Sequence, residues 1–96
     1  MPHFITLVKW TDQGIRNVKD APKRAQNYRS EVEKAGGKVQ IFFTLGEYDI
    51  VAVGEMPSDE AYFKVALWNG SLGNVRTTTL KAWTEADGAK VIGQLP

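Results

Sequence analysis

The alternation of apolar and polar positions along the 96-residue chain predicts four β-strands and two main helices. The strand segments are rich in β-branched and aromatic residues and span residues 4–10, 38–44, 48–55 and 75–83. In two other segments apolar residues recur every three or four positions, which is the spacing of one helix face; they span residues 20–35 and 57–68. A weaker helical pattern continues through residues 84–96.

The order strand, helix, strand, strand, helix, strand is that of a ferredoxin-like split β-α-β fold, an α+β class. It predicts a four-stranded antiparallel sheet with the first and third strands in the centre and both helices on one face. The short connection around Gly46 makes the second and third strands a hairpin, with Gly46 at positive φ. Residues 1–96 are expected to form one domain, with residues 84–96 as its C-terminal tail.

Polar residues predict where the helices begin and end. Asp12 is expected to cap a short helical turn through Ile15 and Val18, and Asp20 to cap the first long helix, with Pro22 in its first turn. The stretch from Asn69 to Asn74 is expected to close the second long helix.

Both faces of the two central strands are apolar, although two helices can cover only one face. The opposed sets are Ile5 and Leu7 against Phe4, Val8 and Trp10 in the first strand, and Ile50 and Ala52 against Val51 and Val53 in the third. A large exposed apolar patch is a liability, so a second copy of the chain is expected to cover the free face. Two sheets packed in this way form a dimeric α+β barrel with two-fold symmetry. The protein partner that the sequence predicts is therefore the chain itself, as a homodimer or a larger homo-oligomer.

The composition narrows the possible chemistry. The chain has no cysteine and a single histidine, which excludes disulfides, thiolate metal sites and multi-histidine metal sites within one chain. The formal net charge of +1 gives no electrostatic argument for nucleic acid or an anionic membrane. No apolar run approaches the roughly 18 residues of a membrane span, and no signal peptide is evident. We therefore expect a cytoplasmic protein with no metal, cofactor, nucleic acid or membrane partner.

Four spaced segments resemble the GYD domain family, which takes its name from a Gly-x-Tyr-Asp turn. Here the turn is Gly46-Glu47-Tyr48-Asp49, and the other segments are residues 11–15, 19–24 and 70–77. The resemblance runs from about residue 4 to residue 83. It implies the dimeric α+β barrel fold, whose relatives include monooxygenases, haem-degrading enzymes, isomerases and ligand-sensing modules. Fold alone does not choose among these functions.

The Gly-x-Tyr-Asp turn is the first candidate for catalysis. Tyr48 and Asp49 could supply a phenol donor and a carboxylate acceptor at the mouth of a cleft. Alternatively, Tyr48 packs and Asp49 binds turn amides. His3 could be an axial haem ligand or a general base, although a solvent-exposed residue near the terminus is the favoured interpretation. Pro2 would be a general base only if Met1 were removed.

A second set of candidates would bind a ligand. Trp10 ends a central strand and could line an apolar pocket, whereas Trp68 is expected to anchor the core or an interface. Backbone amides after the second helix, with Arg76, could hold an anion, although a helix C-cap explains the same glycines. The predicted ligand-binding residues are Trp10, Tyr48, Asp49, Asn74 and Arg76.

Three functions remain open at this point. The first is a small-molecule-binding or accessory module, favoured because polar groups are few and no catalytic set is assembled. The second is a cofactor-free monooxygenase or isomerase in which Tyr48 and Asp49 orient or deprotonate the substrate. The third is a purely structural oligomerisation module.

Overall fold

A computed structural model describes all residues of the chain, 1–96, and contains the predicted sheet. In chain order the elements are β1 (His3–Trp10), α1 (Asp12–Arg16), a 3-10 turn (Val18–Asp20), α2 (Ala21–Lys34), β2 (Lys38–Phe43), β3 (Ile50–Glu55), α3 (Asp59–Ser71), β4 (Val75–Ala82) and α4 (Glu85–Ile92). All strand pairs are antiparallel in the order β2-β3-β1-β4, so the first and third strands are central. The predicted ferredoxin-like α+β class is confirmed.

The hydrophobic core lies between the sheet and the two long helices, α2 and α3, on one face. Its buried centre consists of Phe4, Val32, Met56 and Val65, with Tyr28, Val39, Tyr62 and Trp68 among the residues packed around it. Burial of a side chain of this size stabilises the fold by roughly 1.5–3 kcal/mol relative to exposure. The predicted core role of Trp68 is consistent with this packing.

Thr6 on β1 is a polar residue buried within this apolar layer. Its Oγ1 shares a hydrogen bond of 2.6 Å with the Tyr62 hydroxyl, which also lies 2.8 Å from Oγ1 of Thr79. The Tyr62 ring stacks on Phe4, with centroids 4.2 Å apart. These hydroxyl contacts offset the cost of burying Thr6 and connect α3 to both β1 and β4.

Three predicted helix ends differ from the structure. Thr11 rather than Asp12 caps α1, because its Oγ1 accepts a hydrogen bond from the Gly14 amide. Asp20 directly precedes α2 but makes no capping hydrogen bond, because it ends a 3-10 turn and already has helical backbone angles. α3 continues through Asn69 to Ser71, and the residues after it, Leu72 to Asn74, form the turn into β4.

Four strand ends also differ. β1 begins at His3 rather than Phe4, β3 begins at Ile50 rather than Tyr48, and β2 and β4 end one residue before the predicted positions, 44 and 83. Residues 44–49 form the hairpin loop, which is closed by two hydrogen bonds from Thr44. Its amide donates to Asp49 O at 2.9 Å and its Oγ1 to Tyr48 O at 2.6 Å, so these residues belong to the loop and not to the strands. Gly46 at the tip has φ 115°, as predicted, a conformation in which glycine carries no steric cost.

The face of the sheet without helices, here the open face, is apolar in its middle. Two cross-strand rows lie next to each other there, Phe42–Val51–Leu7 and Val53–Ile5–Leu80. The side chains of Phe42, Val53 and Leu80 are 46%, 40% and 48% exposed. The predicted division of the central strands is confirmed, since Phe4, Val8 and Ala52 are buried beneath the helices and Val51 and Val53 lie on the open face.

The predicted helical tail forms α4, which begins after Thr84, whose Oγ1 accepts from the Asp87 amide. No residue of α4 is buried, and Val91 and Ile92 expose more than half of their surface. The radius of gyration is 14.6 Å, against about 12–13 Å for a compact chain of this length. None of the helices has the length and apolar character that a membrane crossing requires.

Candidate functional site

A cavity of about 50 Å³ lies between the sheet and α2, next to the end of β1. Its lining is mostly apolar and includes Val8, Trp10, Ala25, Ile41, Ile50, Ala52 and Val75. Polar groups reach it from Thr6, Arg24, Tyr28, Asn69 and Asn74. A mostly apolar pocket with a few convergent polar groups is the usual form of a small-molecule site.

The wall of this cavity at Asn74 is built by two of the segments that resemble the GYD family. Thr11 donates from its amide to Asn74 O at 3.1 Å and from Oγ1 to Gly73 O at 2.6 Å. Gln13 Nε2 donates to Leu72 O and to Asn74 Oδ1, at 3.1 and 2.9 Å. The α1 turn is therefore fastened to the turn that leads into β4.

Gly14 makes this junction sterically possible. A Cβ atom on Gly14 would lie 2.0 Å from the Asn74 carbonyl oxygen, closer than any real contact of that kind. Glycine is therefore required at residue 14 for the close approach of the α1 turn to Asn74.

Asp49 positions the end of β1 in this structure. Its Oδ2 accepts a hydrogen bond from the Trp10 amide at 2.9 Å, and its own amide donates to Val8 O at 2.8 Å. A carboxylate that accepts a backbone N–H in this way forms a strong, charge-assisted hydrogen bond. Asp49 thus holds the backbone of Trp10, whose side chain lines the cavity.

Tyr48 and Arg76 lie on the other side of the sheet from the cavity. Both line a shallow cleft of about 140 Å³ with Leu7 and Lys9, and the Lys9 ammonium is 5.4 Å from the centroid of the Tyr48 ring. Arg76 donates from Nη1 to its neighbour's carbonyl, Val75 O, at 3.1 Å. The five predicted ligand-binding residues are therefore divided: Trp10 and Asn74 line the cavity, Tyr48 and Arg76 the open-face cleft, and Asp49 supports Trp10.

His3 and Pro2 lie at the opposite end of the sheet. The Nε2 of His3 is 3.3 Å from Oε2 of Glu55, its cross-strand neighbour, and both side chains are about 30% exposed. The Pro2 carbonyl accepts from the Met56 amide at 3.0 Å. Both residues also line a cleft beside Trp83 and α4, and neither approaches Tyr48 or the cavity.

Two cavity residues, Arg24 and Tyr28, are absent from the sequence prediction. Arg24 follows Ala21 by three positions and Tyr28 follows Arg24 by four, which places them on the sheet-facing side of α2. Burial raises the pKa of Tyr28 above its ordinary value, and the neighbouring Tyr62 raises it further. Tyr28 therefore keeps its proton at neutral pH and can act as a hydrogen-bond donor but not as a general base.

A second apolar surface lies on the outer side of α3. Tyr62 and Val65 face the core, whereas Phe63 and Leu67, one turn apart, are 62% and 57% exposed. Apolar side chains on both sides of a helix normally indicate burial on both sides. The outer side of α3 has no partner within this chain.

Comparison with known proteins agrees with the segments described above. A sequence model of the GYD domain family matches residues 4–92. A relative from Thermus thermophilus, named glutamine synthetase and cystathionine beta-lyase binding protein, is 35% identical over 89 residues, which cover 91% of this chain and 94% of the relative. A search of solved structures found no match. The family match spans nearly the whole described fold, including the Gly-x-Tyr-Asp turn, and the chain therefore belongs to the GYD domain family.

Proposed function

We propose that this chain is an accessory module that self-associates through its open face and binds a second protein through the outer side of α3. The observation that carries the proposal is the apolar surface left uncovered on two opposite sides of one small fold. The name of the T. thermophilus relative, which describes binding to two enzymes, supports a protein-binding role.

The open face suits a second copy of the same chain. Its two apolar rows together cross all four strands, and charged residues flank them along the strand direction, with the His3–Glu55 pair on one side and Lys9 and Arg76 on the other. A two-fold interface needs one patch that is complementary to itself, and a flat apolar centre with a charged rim meets that need.

The outer side of α3 suits a different protein. Phe63 and Leu67 form a compact apolar pair, flanked by the charged residues Glu60 and Lys64 on the same helix. Aromatic side chains in such pairs commonly dominate binding energy at protein interfaces. Because α3 and the open face are on opposite sides of the domain, one copy can occupy both interfaces at once.

The geometry favours binding over catalysis at the Gly-x-Tyr-Asp turn. The Asp49 carboxylate already accepts the Trp10 amide, and the Tyr48 ring lies under the Lys9 ammonium on the open-face side. Small-molecule binding is a second candidate function, supported by the cavity at Trp10. The two roles are compatible, since a ligand in the cavity would lie between the two protein-binding surfaces.

A direct binding measurement tests the protein-binding role. The chain is immobilised, and purified glutamine synthetase and cystathionine beta-lyase from the organism that makes this chain are passed over it separately. Their affinities are measured by surface plasmon resonance. We expect saturable binding of at least one enzyme, weakened roughly 10- to 100-fold by the double substitution Phe63→Ser, Leu67→Ser. The matched control, Gln26→Ser with Arg29→Ser on the exposed side of α2, should bind like wild type. Binding of neither enzyme, or equal binding by both double variants, would contradict the proposal.

A further inference from the structure

The outer edge of β4 has no strand beside it within the chain. The sheet order β2-β3-β1-β4 places β4 at one margin, and its register with β1 continues without a break from Val75 to Ala82. The strand therefore has no bulge, and it contains neither proline nor glycine, which are among the features that protect sheet edges from pairing. Residues 76–81 are all exposed. A regular, uncovered edge of this kind is a template for another strand.

Alternate residues of β4 direct their backbone N–H and C=O groups outward. At one end of β1, the Thr11 amide donates to Asn74 O. At the other end, the Pro2 carbonyl accepts from Met56, so even-numbered residues of β1 bond to β3 and odd-numbered ones to β4. The even-numbered residues of β4 therefore bond to β1, and the outward ones are Val75, Thr77, Thr79 and Lys81. Val75 O agrees with this direction, because it accepts from the Arg76 guanidinium at 3.1 Å.

The outward groups are complementary to the same strand of a second copy. A two-fold axis perpendicular to the sheet at Thr78 would place Thr77 opposite the partner's Thr79 and Val75 opposite the partner's Lys81. All four outward residues then form hydrogen-bonded pairs, with two bonds to a pair. An axis at Thr77 or Thr79 would leave only three such pairs. The register centred on Thr78 is therefore the one that satisfies the whole edge.

The charges of β4 are compatible with this pairing. Arg76 and Lys81 lie on opposite faces of the sheet, since successive side chains of a strand alternate. Directly opposed residues share a face, so a symmetric pair never opposes Arg76 to Lys81. Around the axis the opposed side chains are threonines, which suit cross-strand pairs.

The helix above this edge would also meet its copy. The Tyr62 hydroxyl bonds Thr6 of β1 and Thr79 of β4, so α3 lies over the two strands at this margin of the sheet. Neighbouring strands are about 4.8 Å apart, so two α3 helices above paired β4 edges would be about 10 Å apart, an ordinary distance for packed helices.

The side of α3 that points toward this edge is apolar beyond its first turn. Asp59 Oδ2 accepts from Lys81 Nζ on β4 at 2.8 Å, which places Asp59 on the β4 side of the helix. Phe63 and Leu67 follow Asp59 at intervals of four residues and continue the same side. The pairing would therefore cover these two exposed side chains in both copies.

We infer that two copies of the chain pair antiparallel through β4, with Thr78 on the two-fold axis, and that this pairing covers the α3 surface of Phe63 and Leu67. Self-pairing through β4 and enzyme binding then exclude each other, so pairing regulates access to that surface. Only this exclusion rests on the proposed function. A contact of two strands and two helix sides is small, so we expect it at sub-millimolar and not at micromolar concentrations. A strand of a different protein is the competing occupant of the edge.

Cysteine crosslinking measures the register, because the chain has no cysteine of its own. Thr78 would oppose its copy as a non-hydrogen-bonded pair, whose Cα separation of about 4.5 Å suits a disulfide. Thr78→Cys should link under mild oxidation at sub-millimolar concentration. Thr77→Cys and Thr79→Cys should link roughly 10-fold more slowly, because each would meet its own copy only diagonally. All variants carry Val53→Lys, so that open-face association does not bring the thiols together.

Two results would overturn the pairing. One is faster linkage at Thr77 or Thr79 than at Thr78. The other is linkage of Thr78→Cys no faster than that of Gln26→Cys, which is exposed on α2 and measures random collision. The second result is also the one expected if the edge takes a strand of a different protein.

Amide exchange on the wild-type protein decides the matter if these variants are unstable. The outward amides of Val75, Thr77, Thr79 and Lys81 should exchange slowly at sub-millimolar concentration and faster on dilution. The amides of residues 76, 78 and 80, which bond to β1, should stay slow at both concentrations. Outward amides that exchange equally fast at both concentrations would contradict the pairing.

Enzyme binding tests the exclusion. Thr78→Cys, immobilised as the linked pair, should bind the enzyme that wild type binds roughly 10- to 100-fold more weakly, and reduction of the disulfide should restore the affinity. Equal affinity before and after reduction would overturn the exclusion. If wild type binds neither enzyme, the protein-binding role fails and the exclusion with it, whereas pairing through β4 is decided by the linkage alone.

Discussion

At the scale of single residues, three hydroxyl groups lie close together beneath α2 and α3. Thr6 and Tyr62 are joined by a hydrogen bond, and Tyr28 lies against both in a largely apolar layer. A phenol so placed is stable only in its neutral form, because the interior disfavours the tyrosinate charge. Tyr28 therefore couples the stability of the fold to pH at the alkaline end of the scale.

This coupling has a definite sign. The pKa of Tyr28 is raised in the folded chain above its ordinary value of 10.0, so the unfolded chain loses this proton at a lower pH than the folded chain does. The contribution of Tyr28 is complete below about pH 10 and is lost as the pH rises further, by up to about 1.4 kcal/mol per pH unit. Urea denaturation between neutral pH and pH 11 should show a steeper loss of unfolding free energy in wild type than in Tyr28→Phe. Parallel curves for the two proteins would show that Tyr28 ionises freely in the folded state.

The sequence predicted individual residues unevenly. Trp10 and Asn74, two of the predicted ligand-binding residues, both line the cavity, and ligand binding by them stays a prediction. The sequence did not predict Arg24 and Tyr28 as cavity residues. An arginine on a basic helix is normally solvated, and a tyrosine in the apolar stripe of a helix is normally a core residue. The separation of Tyr48 from Asp49 could not be foreseen, because it depends on the turn backbone that carries Asp49 to the Trp10 amide.

At the scale of elements, the most specific joint is between α1 and the turn before β4. Four hydrogen bonds from Thr11 and Gln13 fasten α1 to the backbone and side chains of residues 72–74. The close approach of the two segments leaves no room for a side chain at Gly14. This joint forms one wall of the cavity, so its integrity controls the proposed ligand site.

A pair of glycine substitutions isolates the effect of this close approach. Gly14 and Gly70 both lie in helices, so helix propensity alone predicts that alanine stabilises each by roughly 0.5–1 kcal/mol. A Cβ at Gly70 meets nothing within 4 Å, whereas one at Gly14 meets the Asn74 carbonyl at 2.0 Å. Gly14→Ala should therefore lower the unfolding free energy by about 1–3 kcal/mol, and Gly70→Ala should leave it unchanged or raise it. Equal effects in thermal denaturation would show that α1 is not packed this tightly.

The order and type of the elements followed from the sequence, whereas several ends did not. Strand and helix periodicities are long-range patterns of burial, and they were sufficient to place β1 to β4 and the long helices. The residue at which a helix or strand ends depends on single hydrogen bonds. Examples are the one from the Gly14 amide to Thr11 Oγ1 and those that Thr44 makes across the hairpin loop. A propensity scale cannot choose between Thr11 and Asp12 as a cap, since both residue types are good caps.

At the scale of the whole molecule, the uncovered apolar surface is large for one small domain. The open face carries Phe42, Val53 and Leu80, α3 carries Phe63 and Leu67, and the C-terminal segment adds Trp83, Val91, Ile92 and Leu95, all at least 40% exposed. Each such side chain that becomes fully buried contributes roughly 1.5–3 kcal/mol, and a small domain has about 5–15 kcal/mol in total. Association should therefore supply a substantial share of the stability of the folded chain.

Analytical ultracentrifugation combined with thermal denaturation over a range of protein concentrations tests self-association through the open face most directly. We expect a mass of at least two chains at micromolar concentration and a melting temperature that rises with concentration. Val53→Lys, on the open face, should sediment with the mass of a single folded chain and melt at a temperature independent of concentration. Ala52→Lys, beneath the helices, should unfold the chain. Gln26→Lys, exposed on α2, should behave like wild type. A wild-type protein that sediments as a folded monomer and melts at one temperature regardless of concentration would contradict the account.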